Sequence, residues 1–205
     1  MSDPAVPDPA VSDPAVSERA PGPVTVRPAR PDEYDLVGDL TVEVYVDGGL
    51  VSPASSYVTT LRDAADRAAK CDLLVAEADG EVVGAVAYCG PGSSYAELAG
   101  PGEAEFRMLA VREKARGRGA GTAMVLECVG RARAAGLATL RLSTQANMTD
   151  AHRLYERLGF VRTPERDWSP VPGLKLMTYA LALRPLSGRG SGRRARSSGP
   201  SSPSA

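Results

Sequence analysis

The residues whose spacing most clearly points to chemistry lie in the run 116–122, which reads RGRGAGT. Three glycines at the entry to a predicted helix let the backbone take up positive φ and approach a ligand closely. The first N–H groups of that helix have no partner within it, and together with the helix dipole they attract an anion. Two arginines add positive charge, and a threonine adds a hydroxyl group. The run therefore predicts a cradle for the diphosphate of a bound ligand.

Two familiar phosphate-binding motifs do not fit this run. The P-loop requires a lysine followed by serine or threonine after its last glycine, whereas Gly121 is followed by Thr122 and Ala123. The dinucleotide-binding fingerprint requires G-x-G-x-x-G after the first strand and an acidic residue about 20 positions later. Here the spacing differs and the turn lies in the middle of the chain. On these residues alone, a flexible turn with solvated arginines remains the alternative.

Composition excludes several classes of protein. The 205 residues carry a formal net charge of −1, so the overall charge does not call for a nucleic acid or an acidic membrane as partner. Three cysteines without a CxxC pair argue against a disulfide framework, and we expect no metal site. The acidic, proline-rich start has no apolar core of a secretory signal, and no apolar stretch of about 20 residues predicts a membrane span. We expect a cytoplasmic protein.

The chain divides into one domain and two tails. Residues 1–23 repeat the unit DPAV, and because repeated Asp-Pro cannot hold a helix, we expect a disordered arm. Residues 185–205 are rich in Gly, Ser, Arg and Pro, which predicts a flexible basic tail. Its arginines could touch a phosphate-rich partner, although a solvated tail is the plainer interpretation. The working domain is therefore 24–184.

The predicted elements of this domain alternate between strands and helices. Strands are expected at 24–27, 72–78, 81–89, 103–111, 139–144, 160–162 and 174–183. Helices are expected at 32–46, from Ser55 or Ser56 to Ala69, and at 119–135 and 149–158. Asp79-Gly80 supplies a tight hairpin turn, and Gly136 and Gly159 end two helices. This order predicts a mixed α/β domain around one sheet.

Three stretches taken together resemble the GNAT superfamily of N-acetyltransferases. RGRGAG matches its phosphate motif, Arg/Gln-x-x-Gly-x-Gly/Ala. GEAEFRMLAV, upstream, resembles its fourth strand, and STQANMTDAHRLYERLGFVR, downstream, resembles the end of its fifth strand, the next helix and its Leu-Gly-Phe exit. The resemblance covers 24–184, and its motifs occupy 104–162. It implies a GNAT-type fold with a central twisted mixed sheet of about six or seven strands and helices on both faces.

The resemblance implies an enzyme that transfers an acetyl group from acetyl-CoA to a primary amine by direct attack in a ternary complex. In the family the fourth and fifth strands splay apart and leave backbone groups free for the cofactor arm. A backbone N–H at Leu109 or Val111 would then stabilise the oxyanion. The predicted cofactor-binding residues are Leu109, Ala110, Val111, Arg116, Gly117, Arg118, Gly119, Ala120, Gly121, Thr122 and Asn147.

Two residues are predicted to be catalytic because they match family positions. Glu105 is the candidate base; strand alternation places it on one face with Glu103 and Arg107. A solvated or Arg107-paired glutamate, with a water chain as base, is the alternative. Tyr155 lies four residues before Gly159, where the family carries a tyrosine that faces the coenzyme sulfur. Its phenol, with an ordinary pKa of about 10, can protonate the leaving thiolate, whereas without the resemblance it would be a core residue.

Other candidates carry less weight. His152 is the only histidine, and we expect it to face solvent rather than to take part in catalysis. Three acidic residues four apart on the first helix could attract a cationic amine, but a solvated helix face is the plainer interpretation: Asp35, Asp39 and Glu43. Three aromatic residues could line an acceptor pocket, with core packing as the default: Tyr45, Tyr88 and Trp168. Segment 164–168 is a candidate cap over the site.

Alternatives remain open on function. A non-catalytic acyl-CoA-binding regulatory module on the same fold would keep the glycine turn and lose the acid and base. A nucleic-acid-binding protein is disfavoured because the domain shows no basic stripe. The acceptor is either a small molecule, such as an amine, an aminoglycan-like antibiotic or an amino acid, or a protein N-terminus. A homodimer is compatible with the family.

Overall fold

The computed structural model describes residues 22–183. Residues 1–21 of the predicted arm and the whole predicted tail lie outside the described residues, so both stay predictions. The helices are α1 (Tyr34–Val42), α2 (Tyr57–Arg62), α3 (Ala64–Lys70), α4 (Ala120–Ala134) and α5 (Thr149–Arg157). The strands are β1 (Thr25–Pro28), β2 (Asp72–Ala78), β3 (Glu81–Cys89), β4 (Glu103–Val111), β5 (Thr139–Gln145), β6 (Val161–Arg162), β7 (Trp168–Val171) and β8 (Leu174–Ala182).

All of these strands form one mixed sheet, as predicted. Its order is β1-β2-β3-β4-β5-β8-β6, and β7 pairs with β8. The pairs are antiparallel except β4 with β5, which is parallel. The sheet has eight strands because β7, which begins at Trp168 in the segment interpreted as a cap, forms a hairpin with β8.

Helices cover both faces of the sheet. Leu74 and Ala76 of β2 pack in the cluster that contains Met124 and Cys128 of α4, whereas their neighbours in sequence pack in the cluster that contains residues of α1 and α3. Because successive strand residues point to opposite faces, a strand covered on both sides must be apolar throughout. This explains why β2 and β3 read as nearly continuous apolar runs.

The second predicted helix is wrong in one respect, because it is two short helices. Asp63 lies between α2 and α3 with φ −77° and ψ 74°, outside the helical region. Its carboxylate accepts a hydrogen bond from the backbone N–H of Asp66 over 2.8 Å, so it ends α2 and caps α3. The predicted turn and helix ends are confirmed: Gly80, Gly136 and Gly159 have positive φ.

The cysteines are free thiols. Cys89 and Cys128 are buried and Cys71 is half-buried, with 3.3 Å between the Sγ atoms of Cys71 and Cys89. Within 22–183, no group of three or more His, Cys, Asp or Glu residues is arranged to hold a metal ion. None of the helices in this part of the chain is long and apolar enough to cross a membrane.

Candidate active site

The central feature of the site is the place where the neighbouring parallel strands β4 and β5 splay apart. The two strands pair at Glu103 with Thr139, at Ala104 with Leu140 and at Glu105 with Arg141, and the ladder stops there. Beyond this point β4 runs on to Val111 and β5 runs on to Gln145 without pairing with each other, while β8 pairs with the other edge of β5 along its whole length. The facing edges of the two strands therefore present backbone groups without a ladder partner to the space between them.

A bulge in β4 accompanies this parting. The register of β4 against β3 shifts between Ala85 and Ala87, so that two residues of β4 oppose one of β3. Met108 takes up a φ of +52°, which is a strained conformation for a residue with a side chain. Such a bulge bends the strand and increases its twist, and it lies in the part of β4 that no longer pairs with β5.

A cavity of about 440 Å³ occupies the opening. This volume lies in the range of small-molecule sites, roughly 300–1,000 Å³. Segment 106–109 of β4, segment 143–145 of β5, segment 50–60 and the hairpin of β7 with β8 contribute to its walls. Five aromatic residues line it: Tyr45, Tyr57, Phe106, Tyr155 and Trp168. Among the described lining residues, Glu97 is the only acid and Arg107 is the only Lys or Arg.

The glycine run precedes α4 as predicted. Gly119 is the N-cap of the helix with φ 87°, and Gly117 has φ 76°. A Cβ at either position would meet open space, and within 22–183 no side chain caps this end of the helix. The first N–H groups of α4 are therefore available to an anion.

The remaining residues of the run differ in their surroundings. Gly121 lies inside α4, where a Cβ would come within 3.3 Å of Leu154 Cδ2, so this glycine allows α4 to pack against α5. The side chain of Arg118 is held by Asp79 at 2.6 Å, and Arg116 is exposed. Ala120 is buried and Thr122 is half-buried.

The residues predicted to contact the cofactor arm do not all lie in the cavity wall. Leu109 lines the cavity. Ala110 and Val111 pair with Ala85 and Gly84 of β3 beyond the bulge. Asn147 is exposed in the turn between β5 and α5.

Tyr155 is brought to the cavity from α5. Its side chain is 3 % exposed, and its ring lies 5.8 Å from that of Phe106, centroid to centroid. Burial raises the pKa of the Tyr155 phenol above its ordinary value, so the hydroxyl stays protonated at neutral pH. The tyrosine is thus both a core residue and a part of the cavity wall.

Glu105 is placed differently from the sequence interpretation. Its carboxylate is 0 % exposed and does not line the cavity. Oε2 accepts hydrogen bonds from the backbone N–H groups of Glu97 (2.8 Å) and Leu98 (2.7 Å). Oε1 has no hydrogen-bond partner among the described residues and lies 3.8 Å from the Nε of Arg107. Glu105 therefore fastens the loop between β3 and β4.

Glu97, on that loop, is the residue that sequence reasoning missed. Its Oε2 lies 2.9 Å from a terminal nitrogen of Arg107, and its side chain is 39 % exposed. Burial raises the pKa of the Glu97 carboxyl, and the charge of Arg107 opposes that rise. Arg107 also donates to the carbonyl oxygen of Tyr95 over 2.7 Å and lies over its ring. A single glutamate in a loop rich in Gly and Ser carries no sequence signal of its own.

The other candidates are distributed as follows. His152 is half-buried rather than solvent-facing, because its Nε2 contacts the carbonyl oxygen of Gln145 at 3.0 Å. The acids of the first helix are exposed; Asp39 pairs with Arg62, and Glu43 pairs with Arg112. Of the three aromatic candidates, Tyr45 and Trp168 line the cavity, whereas Tyr88 is a core residue.

Comparisons with known proteins agree with this geometry. The sequence model of the family described as "Acetyltransferase (GNAT) family" matches residues 42–160. Among solved structures, yncA of Salmonella typhimurium, solved with its cofactor acetyl-CoA, is 19 % identical with a TM-score of 0.58, and the match covers 78 % of this chain and 94 % of that one.

Two further solved structures cover 78 % of this chain and 99 % of their own. One is an acetyltransferase of the GNAT family from Staphylococcus aureus, at 10 % identity and a TM-score of 0.64. The other is the ribosomal-protein-alanine N-acetyltransferase of Brucella melitensis, at 21 % identity and a TM-score of 0.57. At these identities the likeness is one of fold. A search of curated proteins gives no match.

Proposed function

The chain belongs to the GNAT acetyltransferase family, and from that premise we propose that it transfers an acetyl group from acetyl-CoA to a primary amine by direct attack in a ternary complex. The observation that carries the proposal is the parting of β4 and β5 beyond Glu105 and Arg141. It opens a cavity between two strand edges whose backbone groups are free to hold an extended ligand. The match to yncA, solved with acetyl-CoA, supports this choice of cofactor.

Acetyl-CoA would lie across this opening, with its diphosphate at the start of α4. The N–H groups that follow Gly119 would bind the phosphates, with the positive φ of Gly117 and Gly119 allowing close approach. Arg116 is free to reach the ligand, whereas Arg118 would contribute its charge from its place beside Asp79. The full proposed set is Arg116, Gly117, Arg118, Gly119, Ala120, Gly121 and Thr122.

The acyl arm would lie along β4. Leu109 lines the cavity, and a backbone N–H at Leu109 or Val111 is the proposed oxyanion donor. Ala110 would contribute through its backbone, since its side chain packs on the opposite face with α1. Asn147, exposed after β5, would contact the arm from the other side.

Tyr155 is the proposed acid. It lines the cavity with a phenol that is protonated at neutral pH, and such a group can donate to the departing thiolate. The base predicted from the sequence is Glu105. Because this carboxylate lies outside the cavity wall, it would have to act through another group.

An assay for transfer tests the proposal. The protein is incubated with acetyl-CoA and a panel of primary amines, and free thiol and acetylated amine are both measured, the latter by mass spectrometry. We expect equal amounts of the two products, and a dependence on the amine. Binding of acetyl-CoA without transfer to any amine would favour a non-catalytic acyl-CoA-binding module. Absence of binding would contradict the proposal.

A further inference from the structure

We propose that Glu97 receives the ammonium group of the acceptor and takes its proton, that Glu105 positions Glu97 without touching the acceptor, and that the acceptor is a small monoamine with an apolar body. The proposal rests on the function proposed above and concerns the same cavity. The sequence predicts Glu105 as the base, whereas the carboxylate that lines the cavity is that of Glu97. The two residues are joined by a hydrogen bond from the backbone N–H of Glu97 to the carboxylate of Glu105.

Access separates the two carboxylates. Glu97 lines the cavity, and its side chain is 39 % exposed, so it can meet an amine and pass a proton to solvent. Glu105 is 0 % exposed. A base must come within hydrogen-bond reach of the proton that it takes, directly or through one water. Glu97 meets this requirement from its place in the cavity wall.

Glu105 fixes the loop that carries Glu97. Its Oε2 accepts from the N–H groups of two consecutive residues, Glu97 and Leu98, at 2.8 and 2.7 Å. Two hydrogen bonds from consecutive N–H groups to one buried oxygen fix the position of the loop backbone at this point. The loop backbone is therefore anchored at the residue whose side chain enters the cavity. Arg107 adds a second anchor, since it holds the Glu97 carboxylate and the carbonyl oxygen of Tyr95.

The charges around Glu97 suit a base of raised pKa. The groups that face it are Arg107 and Glu105 of β4 and Tyr57 of α2. Burial and the negative Glu105 raise the pKa of Glu97, and Arg107 lowers it, with burial the larger effect. A carboxylate with a pKa above its ordinary value is a better proton acceptor at neutral pH than a solvated one.

The proton balance is complete with the groups present. One proton passes from the bound ammonium to Glu97 and then to solvent, which leaves a neutral amine. Its lone pair forms the N–C bond to the acetyl carbonyl, and the C–S bond breaks as the tetrahedral intermediate collapses. The departing thiolate takes a proton from Tyr155, which recovers it from the nitrogen that has become an amide. The products are the N-acetyl amine, the free thiol and one released proton.

The lining of the cavity indicates the kind of acceptor. Glu97 and Arg107 balance each other, so the described lining carries no net charge to attract a polycation. Five aromatic residues offer an apolar surface for the body of an amine, and an aromatic face also attracts an ammonium group. The 440 Å³ must also hold the acyl arm, which leaves room for a small molecule only. These features favour an apolar monoamine over a polyamine or a peptide.

The residue assignment is tested by pH profiles with 2-phenylethylamine as the acceptor. Glu97→Gln should lower kcat/KM about 100-fold, a usual contribution of a general base, and abolish the fall in rate on the acid side. Glu105→Gln should lower the rate but keep that acid limb. Glu103→Gln is the matched control, since Glu103 lies on the same strand and accepts from the loop N–H of Gly100, whereas Glu105 accepts from the N–H of Glu97 itself. Its profile should be that of the wild type.

The opposite pattern would overturn the assignment: an acid limb that survives in Glu97→Gln and is lost in Glu105→Gln makes Glu105 the base. Calorimetric titration of each variant with acetyl-CoA checks that it folds and binds the cofactor. If the wild type itself fails to bind acetyl-CoA, it is the proposed function that fails. If it binds acetyl-CoA but Glu97→Gln acetylates 2-phenylethylamine like the wild type, the inference alone fails.

The acceptor class is tested with three probes at equal concentration. We expect 2-phenylethylamine to be acetylated with a kcat/KM at least about tenfold above those of spermidine and the peptide Ala-Ala-Ala, because tenfold corresponds to only about 1.4 kcal/mol of preferential binding. A preference for either of the other probes, or no transfer to 2-phenylethylamine by a protein that binds acetyl-CoA, would overturn this part of the proposal.

Discussion

The backbone N–H of Glu97 donates a hydrogen bond to the buried carboxylate of Glu105 over 2.8 Å. The same oxygen accepts from Leu98. Glu105→Ala would leave both donors without this partner, and an unsatisfied buried group costs about 1–3 kcal/mol. We therefore expect the free energy of unfolding, measured by urea denaturation, to fall by about 2–6 kcal/mol for the two donors together.

A control for this experiment is Glu81→Ala on β3. Glu81 is 65 % exposed and pairs with Lys114 at the surface, where ion pairs contribute little. The free energy of unfolding of this variant should stay within about 0.5 kcal/mol of the wild type. Equal losses in the two variants would contradict the anchoring role of Glu105.

Removal of one hydroxyl group tests Tyr155. Tyr155→Phe should lower kcat about 100-fold, a usual contribution of a general acid, while acetyl-CoA affinity stays unchanged. The matched control is Tyr179→Phe, because its ring lies 6.0 Å from that of Tyr155 but does not line the cavity. Steady-state kinetics with the best amine of the panel measure both. An unaltered kcat in Tyr155→Phe would reduce this residue to a packing role.

Stability at low pH should depend on Glu33. Hydrogen bonds from Arg27 lower the pKa of the Glu33 carboxyl from 4.5 to about 2, against the effect of burial. Since the folded-state pKa is depressed, the stabilisation is complete above about pH 4.5 and is lost as the pH falls towards 2. Glu33→Gln should therefore be less stable than the wild type at pH 7, and the difference should shrink between pH 4.5 and 2.

Thermal unfolding across this range measures the difference. Asp32→Asn is the control, since Asp32 precedes Glu33 in the sequence and its own side chain is 78 % exposed. Its difference from the wild type should be small at every pH. A gap between Glu33→Gln and the wild type that does not change below pH 4.5 would show that the ion pair with Arg27 does not supply the stabilisation.

The order of elements was predictable because each one follows a local rule. Apolar runs separated by Asp79-Gly80 predict a hairpin, and a glycine just past an apolar helix predicts its end, as found at Gly136. The break at Asp63 was missed because an aspartate within a helical pattern gives no sign that its side chain will cap the next residues. Strand β7 was missed because four exposed or half-buried residues around a proline carry little apolar periodicity.

The site was less predictable than the fold because it depends on contacts between residues that are separated along the chain. The positive φ of Gly117 and Gly119 follows from residue type and local chain entry into α4. The burial of Glu105 and the entry of Glu97 into the cavity depend on how loop 90–102 folds back over β4, through contacts between residues eight apart. Alternation along a strand predicts which side of the sheet a residue faces, but not whether a loop covers that side.

The start of α4 is the proposed diphosphate site on which the binding of acetyl-CoA depends, and calorimetric titration with acetyl-CoA tests it directly. The variant is Gly119→Glu, and Gly136→Glu at the other end of the helix is the matched control, because both glycines have positive φ and open space around a Cβ. We expect the wild type and the control to bind, and Gly119→Glu to bind at least about 100-fold more weakly, since like charges brought together cost several kcal/mol. Equal binding by the two variants would contradict the assignment.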